Sequence, residues 1–392
     1  MTNYDFHTPI NREQTNSVKW GLRKDLFGSD EVLPMWVADM EFMPPNEVIE
    51  ALEKRIQHKI YGYTYASAST TNAITEWQKK RHNWEISKNA VLFSLGVVPS
   101  IAAAILAFTE KGDKVMLQSP VYTPFFSMIE GNERVVVNSP LILKDDQYEI
   151  DFVDFEERLK EGVKLFLLCN PHNPGGRVWT KDELKKIGDL CCQYNCYILS
   201  DEIHADLVYT PHQHLPIASL DQRFKEITIT CIAPTKTFNL AGLQASAVLI
   251  ENEQLRKLFS DVQAKQGFFT LSTFGLTGME AAYRYGDTWL NELLHYLEEN
   301  RRISIQFIEE NLPDIKAIEP EGTYLLWLDC RKLQWSDDEI QERLLKKGKV
   351  ALEPGNKYGS GGEGFVRLNF ACSQTVLLDG LNRVKHAFSN LS

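Results

Sequence analysis

The 392-residue sequence has no long apolar run and no excess of basic residues. Its formal net charge is −11, so it offers no basic stripe to neutralise the phosphates of a nucleic acid or an anionic membrane. No apolar stretch approaches the ~18 residues that span a bilayer, and the first residues lack the charged and apolar regions of a secretory signal. We therefore expect a cytoplasmic protein that acts on small soluble molecules and binds neither nucleic acid nor membrane.

The cysteines lack the paired spacing of a disulfide framework or a metal site. The chain has seven of them, an odd number, without CxxC pairs, and most lie in apolar segments. Cys191, Cys192 and Cys196 form the only close group, and histidines at ligand spacing are missing around them. The sequence predicts buried, reduced thiols and no metal site.

Short β-rich runs alternate with amphipathic helical segments through the middle of the chain. This alternation is typical of an α/β domain whose largely parallel sheet is covered on both faces. The predicted strands begin at Val91, Lys114, Arg134, Leu165, Tyr197, Ile227 and Ala245. Helices are predicted after Gly96 and after Thr180, which is a favourable N-cap residue. Because functional groups gather at the carboxyl ends of parallel strands, we expect the site at that edge.

The pattern changes near Gly286. A charged helix, a hairpin-like pair, another helix, the strand GFVRLNF and a closing helix predict an α+β domain. We therefore predict a large domain over residues 46–285 and a small domain formed by residues 1–45 and 286–392. The first 45 residues are rich in turn formers and are expected to pack across the small domain as an irregular arm.

Four segments with polar side chains lie at the ends of predicted strands or just after them. Taken singly, each is typical of a turn, a solvated strand end or a surface charge. Their order and shared placement indicate a site instead. The segments are SPVYTPF from Ser119, NPHNPGG from Asn170, SDEIHADL from Ser200 and APTKTFNLAG from Ala233.

The residue types in these segments suit an aldehyde cofactor with a pyridine ring. Lys236 can form an imine with an aldehyde, and Asp201 can keep a pyridine nitrogen protonated so that the ring accepts electrons. Tyr122 can stack on the ring, and Asn173 can donate to a phenolic oxygen. Unpaired N–H groups at a helix N-terminus bind phosphate. The turn that would supply them consists of Gly96, Val97 and Val98.

The ordered set NPHNPGG, SDEIH and APTKTFNLAG resembles the aminotransferase-like (fold type I) pyridoxal-phosphate (PLP) enzymes. PMWVADMEF, GYT, PVYTPF and LEPGNKYGSGGEGFVRLN are similar to the cystathionine β-lyase group of the MalY/PatB type, and the likeness runs nearly end to end. The resemblance implies a mostly parallel seven-stranded sheet, PLP as cofactor, and a homodimer with shared active sites. It also implies cleavage of L-cystathionine and related cysteine S-conjugates to a thiol, pyruvate and ammonia, within methionine biosynthesis.

The resemblance also implies roles for individual residues. Lys236, Asp201 and Tyr122 would form the catalytic set, with Lys236 bound covalently to PLP. Asp201 would pair with the ring nitrogen, Asn173 would bond the ring phenolate, and Tyr122 would stack on the ring. Thr235, beside the lysine, would bond the phosphate.

The substrate side of the site is implied in the same way. Arg367 matches the arginine that binds the substrate α-carboxylate, a role suited to its planar bidentate geometry. The alternative, a surface ion pair, poorly explains an arginine inside an apolar strand. Trp36 and Asp39 would line the substrate entrance.

Two features leave alternatives open, and a third departs from the family pattern. His204 would support the hydrogen bonds around the ring phenolate, or it is a satisfied strand-end histidine. Tyr61 and Tyr63 resemble a segment that reaches into the neighbouring subunit's site, where Tyr61 would contact the cofactor and Tyr63 the substrate, or they form an aromatic turn in their own core. Gln244 stands where many members have a phosphate-binding arginine, so phosphate binding must depend more on neutral donors.

Two other functions share these parts. An aminotransferase would use the same lysine and carboxylate but would reprotonate the cofactor instead of expelling a group from Cβ. A regulatory protein would bind PLP or a partner surface without turnover, although the presence of Lys236, Asp201 and Arg367 together argues against a purely non-catalytic role. Fold alone does not decide between them.

Overall fold

The structure, a computed structural model, describes residues 4–389. None of the helices in that span is both long and apolar enough to cross a membrane. The strands are β1 (Leu33–Pro34), β2 (Val91–Ser94), β3 (Lys114–Leu117), β4 (Val135–Asn138), β5 (Ile142–Lys144), β6 (Gln147–Glu149), β7 (Leu165–Cys169), β8 (Tyr197–Asp201), β9 (Thr228–Ile232), β10 (Ser246–Leu249), β11 (Lys316–Ile318), β12 (Leu325–Asp329), β13 (Val350–Ala351), β14 (Glu353–Pro354) and β15 (Phe365–Asn369).

The helices connect these strands along the chain. Short 3-10 turns and one π-helical turn, Leu344–Gly348, lie between them. The α-helices are α1 (Val18–Gly21), α2 (Arg23–Phe27), α3 (Asn46–Gln57), α4 (Ala68–His82), α5 (Val97–Phe108), α6 (Pro124–Gly131), α7 (Phe152–Lys160), α8 (Lys181–Gln193), α9 (Gln222–Lys225), α10 (Pro234–Thr237), α11 (Glu253–Lys265), α12 (Thr273–Tyr285), α13 (Asp287–Asn311), α14 (Asp337–Arg343) and α15 (Gln374–Phe388).

A seven-stranded sheet forms the centre of the molecule, in the order β2-β10-β9-β8-β7-β3-β4. All seven strands predicted from the sequence are present in it. β10 is antiparallel to both of its neighbours, and the other pairs are parallel. The α/β class and the mostly parallel sheet are therefore confirmed.

Helices cover both faces of this sheet. On β7, Phe166 and Leu168 pack with α7 and α8, while the alternate residues Leu165 and Leu167 pack with α5, α6 and α11. All five residues of β7 are buried, which explains why the strand is a continuous apolar run in the sequence. The helices predicted after Gly96 and Thr180 are α5 and α8.

A second, four-stranded antiparallel sheet lies in the C-terminal part of the chain, in the order β11-β12-β15-β14. The N-terminal arm joins this part, because β1 pairs in parallel with β13. That contact agrees with the predicted packing of the arm. The division at residues 45/46 and 285/286 stays a prediction; α3 begins at Asn46, and α12 ends at Tyr285.

The seven cysteines are free thiols, as predicted. Cys192 is half-buried and the other six are buried. Burial raises the pKa of Cys191 and Cys231 well above the ordinary value of a thiol. These groups therefore stay protonated and inert near neutral pH.

The connection between β11 and β12 docks on the loop that follows β7. The backbone N–H groups of Glu321 and Gly322 donate to the carbonyl of Gly176 at 2.9 and 3.0 Å. The Glu321 carboxylate accepts from Arg177 Nε at 3.0 Å and from the backbone N–H of Val178 at 2.7 Å. This contact fixes the NPHNPGG loop, on which part of the predicted site lies.

Replacing Gly176 with alanine should therefore destabilise the protein strongly. Gly176 has a φ of +72°, and an added Cβ would lie 2.5 Å from Cβ of Pro320. Gly162 is a matched control, because its φ is +86° and its Cβ would meet no atom within 4 Å. The positive φ alone costs an alanine about 1–2 kcal/mol, and the clash adds roughly 1–3 kcal/mol. Urea unfolding should show a larger loss for Gly176→Ala than for Gly162→Ala; equal losses would contradict the proposed clash.

Candidate active site

Lys236 lies in the single-turn helix α10, which follows β9 at the carboxyl edge of the large sheet. Its Nζ donates to the carbonyl oxygen of Ala38 at 2.7 Å. Burial and the nearby positive charge of Arg367 lower the pKa of Lys236 to about 8, against the opposing effect of Asp39 and Asp201. The amine is therefore much more readily deprotonated than an ordinary lysine, as a nucleophile or a general base requires.

Asp201 is the last residue of β8, the strand beside β9. It is 3% exposed, and within residues 4–389 its carboxylate accepts one hydrogen bond, from the backbone N–H of Ile203 at 3.3 Å. Burial raises the pKa of Asp201 to about 7, although the charge of Lys236 opposes this. A buried carboxylate with so little hydrogen bonding is suited to a cationic partner such as a protonated ring nitrogen.

Arg367 and Asn173 meet in the site. Arg367 projects from β15 and is 5% exposed, so the alternative of a surface ion pair is wrong. Its Nη1 donates to Oδ1 of Asn173 at 3.0 Å, and its Nη2 donates to the carbonyl of Trp36 at 2.8 Å. Its Nε is buried and lacks a hydrogen-bond partner in the described part of the chain. The guanidinium therefore has donors to offer a carboxylate.

Tyr122 follows β3 and lies in the same region. Burial and the negative charge of Asp201 raise the pKa of Tyr122 to about 12, while the positive charge of Arg367 opposes this. The phenol is therefore neutral at physiological pH. Its position near both charged groups is compatible with the predicted stacking on a ring held between Asp201 and Lys236.

The predicted phosphate donors lie at two short turns. Gly96 is the N-cap of α5, so Val97 and Val98 belong to the first turn, whose N–H groups have no acceptor inside the helix. Thr235 is partly buried in α10. Gln244 is exposed and has a φ of +50°. The arrangement offers neutral donors, and phosphate binding by them stays a prediction.

His204 lies just beyond the end of β8 and is 3% exposed. Burial, together with the positive charges of Lys236 and Arg367, lowers the pKa of His204 well below its ordinary value, so the imidazole is neutral. Its Nδ1 is buried without a hydrogen-bond partner among residues 4–389, and its ring packs edge-on against Tyr324. This unpaired nitrogen favours the cofactor role over a satisfied histidine.

The loop 36–39 supplies backbone carbonyls to the site, which the sequence did not indicate. The carbonyl of Ala38 accepts from Lys236 and also from the hydroxyl of Tyr324 at 3.0 Å. The amide of Asn369 donates to the carbonyls of Val37 and Asp39, both at 2.6 Å. Asn369 could have been found from the sequence, because it lies two residues after the site arginine on the same strand and so on the same face.

The side chains of this loop have different surroundings. Asp39 forms a bidentate pair with Arg12 at 2.7 and 3.2 Å and lies 3.3 Å from Nζ of Lys19. Burial acts to raise the pKa of Asp39, but the bonds to Arg12 and Lys19 lower it overall. Trp36 packs edge-on against Phe27, and its Nε1 is buried without a partner in the described residues. The substrate contacts of Asp39 and Trp36 stay predictions.

Tyr61 and Tyr63 do not pack in the core of their own chain, so that alternative is wrong. Tyr63 is fully exposed, and Tyr61 is 52% exposed with its hydroxyl donating to the carbonyl of Ile56 at 2.6 Å. Their neighbours Tyr65 and Phe269 are also exposed, at 78% and 79%. A group of four exposed aromatic side chains is rarely left in contact with water.

The assembled residues fit PLP. The strands β3, β7, β8 and β9 are adjacent, and their carboxyl ends meet at one edge. Asp201 is the last residue of β8, and Tyr122, Asn173 and Lys236 follow the other three strands. These four residues supply an aromatic side chain, an amide, a buried carboxylate and a lysine of lowered pKa. The buried unpaired nitrogens of His204 and Arg367 described above remain available to a bound molecule.

Comparison with known proteins agrees with this geometry. The sequence pattern of the family described as aminotransferase class I and II matches residues 30–384. Cystathionine β-lyase PatB of Bacillus subtilis is 48% identical over 376 residues, which cover 96% of this chain and 97% of PatB.

Solved structures show the same relationship. Cystalysin of Treponema denticola, which contains PLP, has 37% identity and a TM-score of 0.96, covering 99% of this chain and 100% of cystalysin. A PLP-bound C–S lyase of Staphylococcus hominis has 33% identity and a TM-score of 0.93, covering 99% of each chain. The chain therefore belongs to the aminotransferase class I and II family of PLP-dependent enzymes, within the MalY/PatB group of C–S lyases.

Proposed function

We propose that this protein is a PLP-dependent carbon–sulfur β-lyase that cleaves L-cystathionine and related cysteine S-conjugates to a thiol, pyruvate and ammonia. The observation that carries the proposal is the 48% identity to a cystathionine β-lyase over 96% of the chain. The assembled Lys236, Asp201, Asn173 and Arg367 support it, because they are the groups that such a reaction needs.

Lys236 would hold the cofactor and, once the substrate amine has displaced it, its free amine would move the substrate proton. When bound, PLP supplies a protonated ring that accepts the electrons released as the substrate Cα–H bond breaks. The amine of Lys236 takes the Cα proton, a role for which its lowered pKa is suited. Asp201 keeps the ring nitrogen protonated, and Tyr122 holds the ring by stacking.

Arg367 binds the α-carboxylate and so orients the Cα–H bond, while Asn173, which accepts from Nη1 of Arg367, bonds the ring phenolate. A planar guanidinium can donate two parallel hydrogen bonds to a carboxylate. In the structure, Nη2 of Arg367 instead donates to the carbonyl of Trp36. Substrate binding would exchange that carbonyl for a carboxylate oxygen, and the adjacent entrance would be lined by Trp36 and Asp39.

We propose that the enzyme acts as a homodimer with shared active sites. The support is the exposed aromatic segment around Tyr61 and Tyr63, which a second copy of the chain would cover. Tyr61 would then contact the phosphate of the partner's cofactor, and Tyr63 its substrate. Gly96, Val97, Val98, Thr235 and His204 would complete the cofactor site within one chain.

The biological setting follows from the chemistry. Homocysteine released from cystathionine is the thiol whose S-methylation gives methionine, so we propose a role in methionine biosynthesis. We also propose a cytoplasmic location, where free thiols such as those of this chain stay reduced.

The purified protein with PLP should convert L-cystathionine to pyruvate and homocysteine in equal amounts without any keto acid. Lys236→Ala should abolish both products, because it removes the covalent link and the base. Lys185→Ala, an exposed lysine on α8, is the control and should leave the rate unchanged. Coupled pyruvate and thiol assays measure both products; amino transfer to 2-oxoglutarate without pyruvate would contradict the lyase and indicate an aminotransferase.

Capture of PLP by the cofactor-free protein should speed up as pH rises through about 8. Imine formation needs the neutral amine, and burial lowers the pKa of Lys236 to about 8. An ordinary lysine has a pKa of about 10.4 and would place the midpoint more than two pH units higher. Stopped-flow absorbance of the lysine-bound cofactor gives the profile. A midpoint near 10 would show that the amine is not buried as described.

Shared active sites can be tested by mixing two impaired variants, Lys236→Ala and Tyr61→Ala. In a mixed dimer, one site loses both residues and the other keeps both. Random exchange of subunits should therefore restore about a quarter of wild-type activity. Sedimentation should give twice the chain mass of 44.9 kDa. If Tyr61 serves its own chain, mixing restores no activity.

A further inference from the structure

Behind the helix α10 lies a buried carboxylate that the proposed reaction does not use. Asp206 follows the end of β8, and its side chain is 8% exposed. Its Oδ1 accepts from Trp77 Nε1 at 3.0 Å and lies 2.9 Å from His82 Nε2. Its Oδ2 accepts from the hydroxyl of Thr237 at 2.8 Å. The carboxylate thus joins the C-terminal half of α4 to α10.

Thr237 is the residue next to Lys236. α10 has only four residues, and a single helical turn has little stability of its own. The orientation of α10 therefore depends on contacts from outside the turn. Thr237 is fully buried, and the hydrogen bond from its hydroxyl to Asp206 is such a contact.

A second carboxylate–histidine pair extends this network towards Asp201. Glu202, the next residue in the chain, has Oε2 at 2.9 Å from Nε2 of His214, and both side chains are 1% exposed. The rings of His214 and His82 meet edge-to-face with centroids 5.2 Å apart. Hydrogen bonds and one ring contact therefore connect the strand end that carries Asp201 with the turn that carries the lysine.

The contacts of Asp206 stabilise its charged form. Burial acts to raise the pKa of Asp206, but the hydrogen bonds from His82 and Thr237 lower it overall, so the carboxylate is ionised. Burial lowers the pKa of His214, which keeps that imidazole neutral. A buried ionised carboxylate is stable only while its hydrogen bonds are made. Displacing one donor is therefore costly.

We propose that Asp206 is a positioning residue that sets the amine of Lys236 against the cofactor, acting through Thr237. The proposal rests on the proposed function, because it concerns the same lysine. Asp206 lies five residues after Asp201 in the chain, and its carboxylate accepts a hydrogen bond from Thr237, the residue next to Lys236. It therefore fixes the two ends of the cofactor ring site relative to each other.

Thr237→Val tests this, because valine keeps a similar shape but removes the donor. Thr228→Val is a matched control, since Thr228 is buried on β9 and its hydroxyl lacks a partner in the described chain. Thr237→Val should lower kcat about 10- to 100-fold with little change in KM. The midpoint of PLP capture by the cofactor-free variant should move to higher pH, because a displaced amine is more hydrated. Thr237→Ser should restore both.

The outcomes are distinguishable. If Thr237→Val matches Thr228→Val in kcat and in the capture midpoint, or if only its unfolding temperature changes, the bond is merely structural and the proposal is overturned. If the wild type captures PLP but releases no thiol from cystathionine, the proposed function fails. The capture midpoints of the three variants would still test the positioning by Asp206.

Discussion

Burial of charged and titratable side chains at the carboxyl edge of the large sheet sets the protonation of these groups. Asp201, His204 and Arg367 are each at most 5% exposed. Burial raises the pKa of Asp201 and lowers those of His204 and Lys236. The site therefore combines a neutral imidazole, a reactive amine and a carboxylate, and the carboxylate needs a cationic partner. Each of these properties would be lost at an exposed site.

The strand order explains why residues distant in sequence meet. β3, β7, β8 and β9 are adjacent and parallel, so the segments that follow them share one edge. Arg367 arrives from the second sheet, and the connection that docks through Glu321 on Gly176 holds the two sheets together at that point. The site thus depends on the contact between the two parts of the chain as much as on either part.

Much of this was predictable from the sequence. The β-rich runs predicted all seven strands. The runs of β7 and β9 are continuously apolar because these strands are buried on both faces. The N-cap at Thr180 was predicted from its side chain, which accepts from the backbone N–H of Glu183. Lys236 and Asp201 were recognised because their segments, together with NPHNPGG, follow one another in order at the ends of predicted strands.

The remaining contacts had no local signal. The Lys236–Ala38 hydrogen bond joins residues 198 apart, and a backbone carbonyl has no signature in the sequence. The ion pair of Asp39 with Arg12 depends on how the N-terminal arm folds back. Asp206 lies in the SDEIHADL segment, but its role follows only from the helices that pack around it. Tertiary packing decides such contacts, and neither periodicity nor motif spacing describes it.

The most direct test is the partition between elimination and amino transfer when both are possible. The PLP-loaded enzyme is given L-cystathionine together with 2-oxoglutarate, and pyruvate and glutamate are quantified over the first turnovers. If the protein is a C–S lyase, pyruvate should accumulate together with free thiol, and glutamate should stay a minor product. Glutamate in excess of pyruvate would contradict the account, because the site would then be returning its proton to the cofactor instead of expelling sulfur.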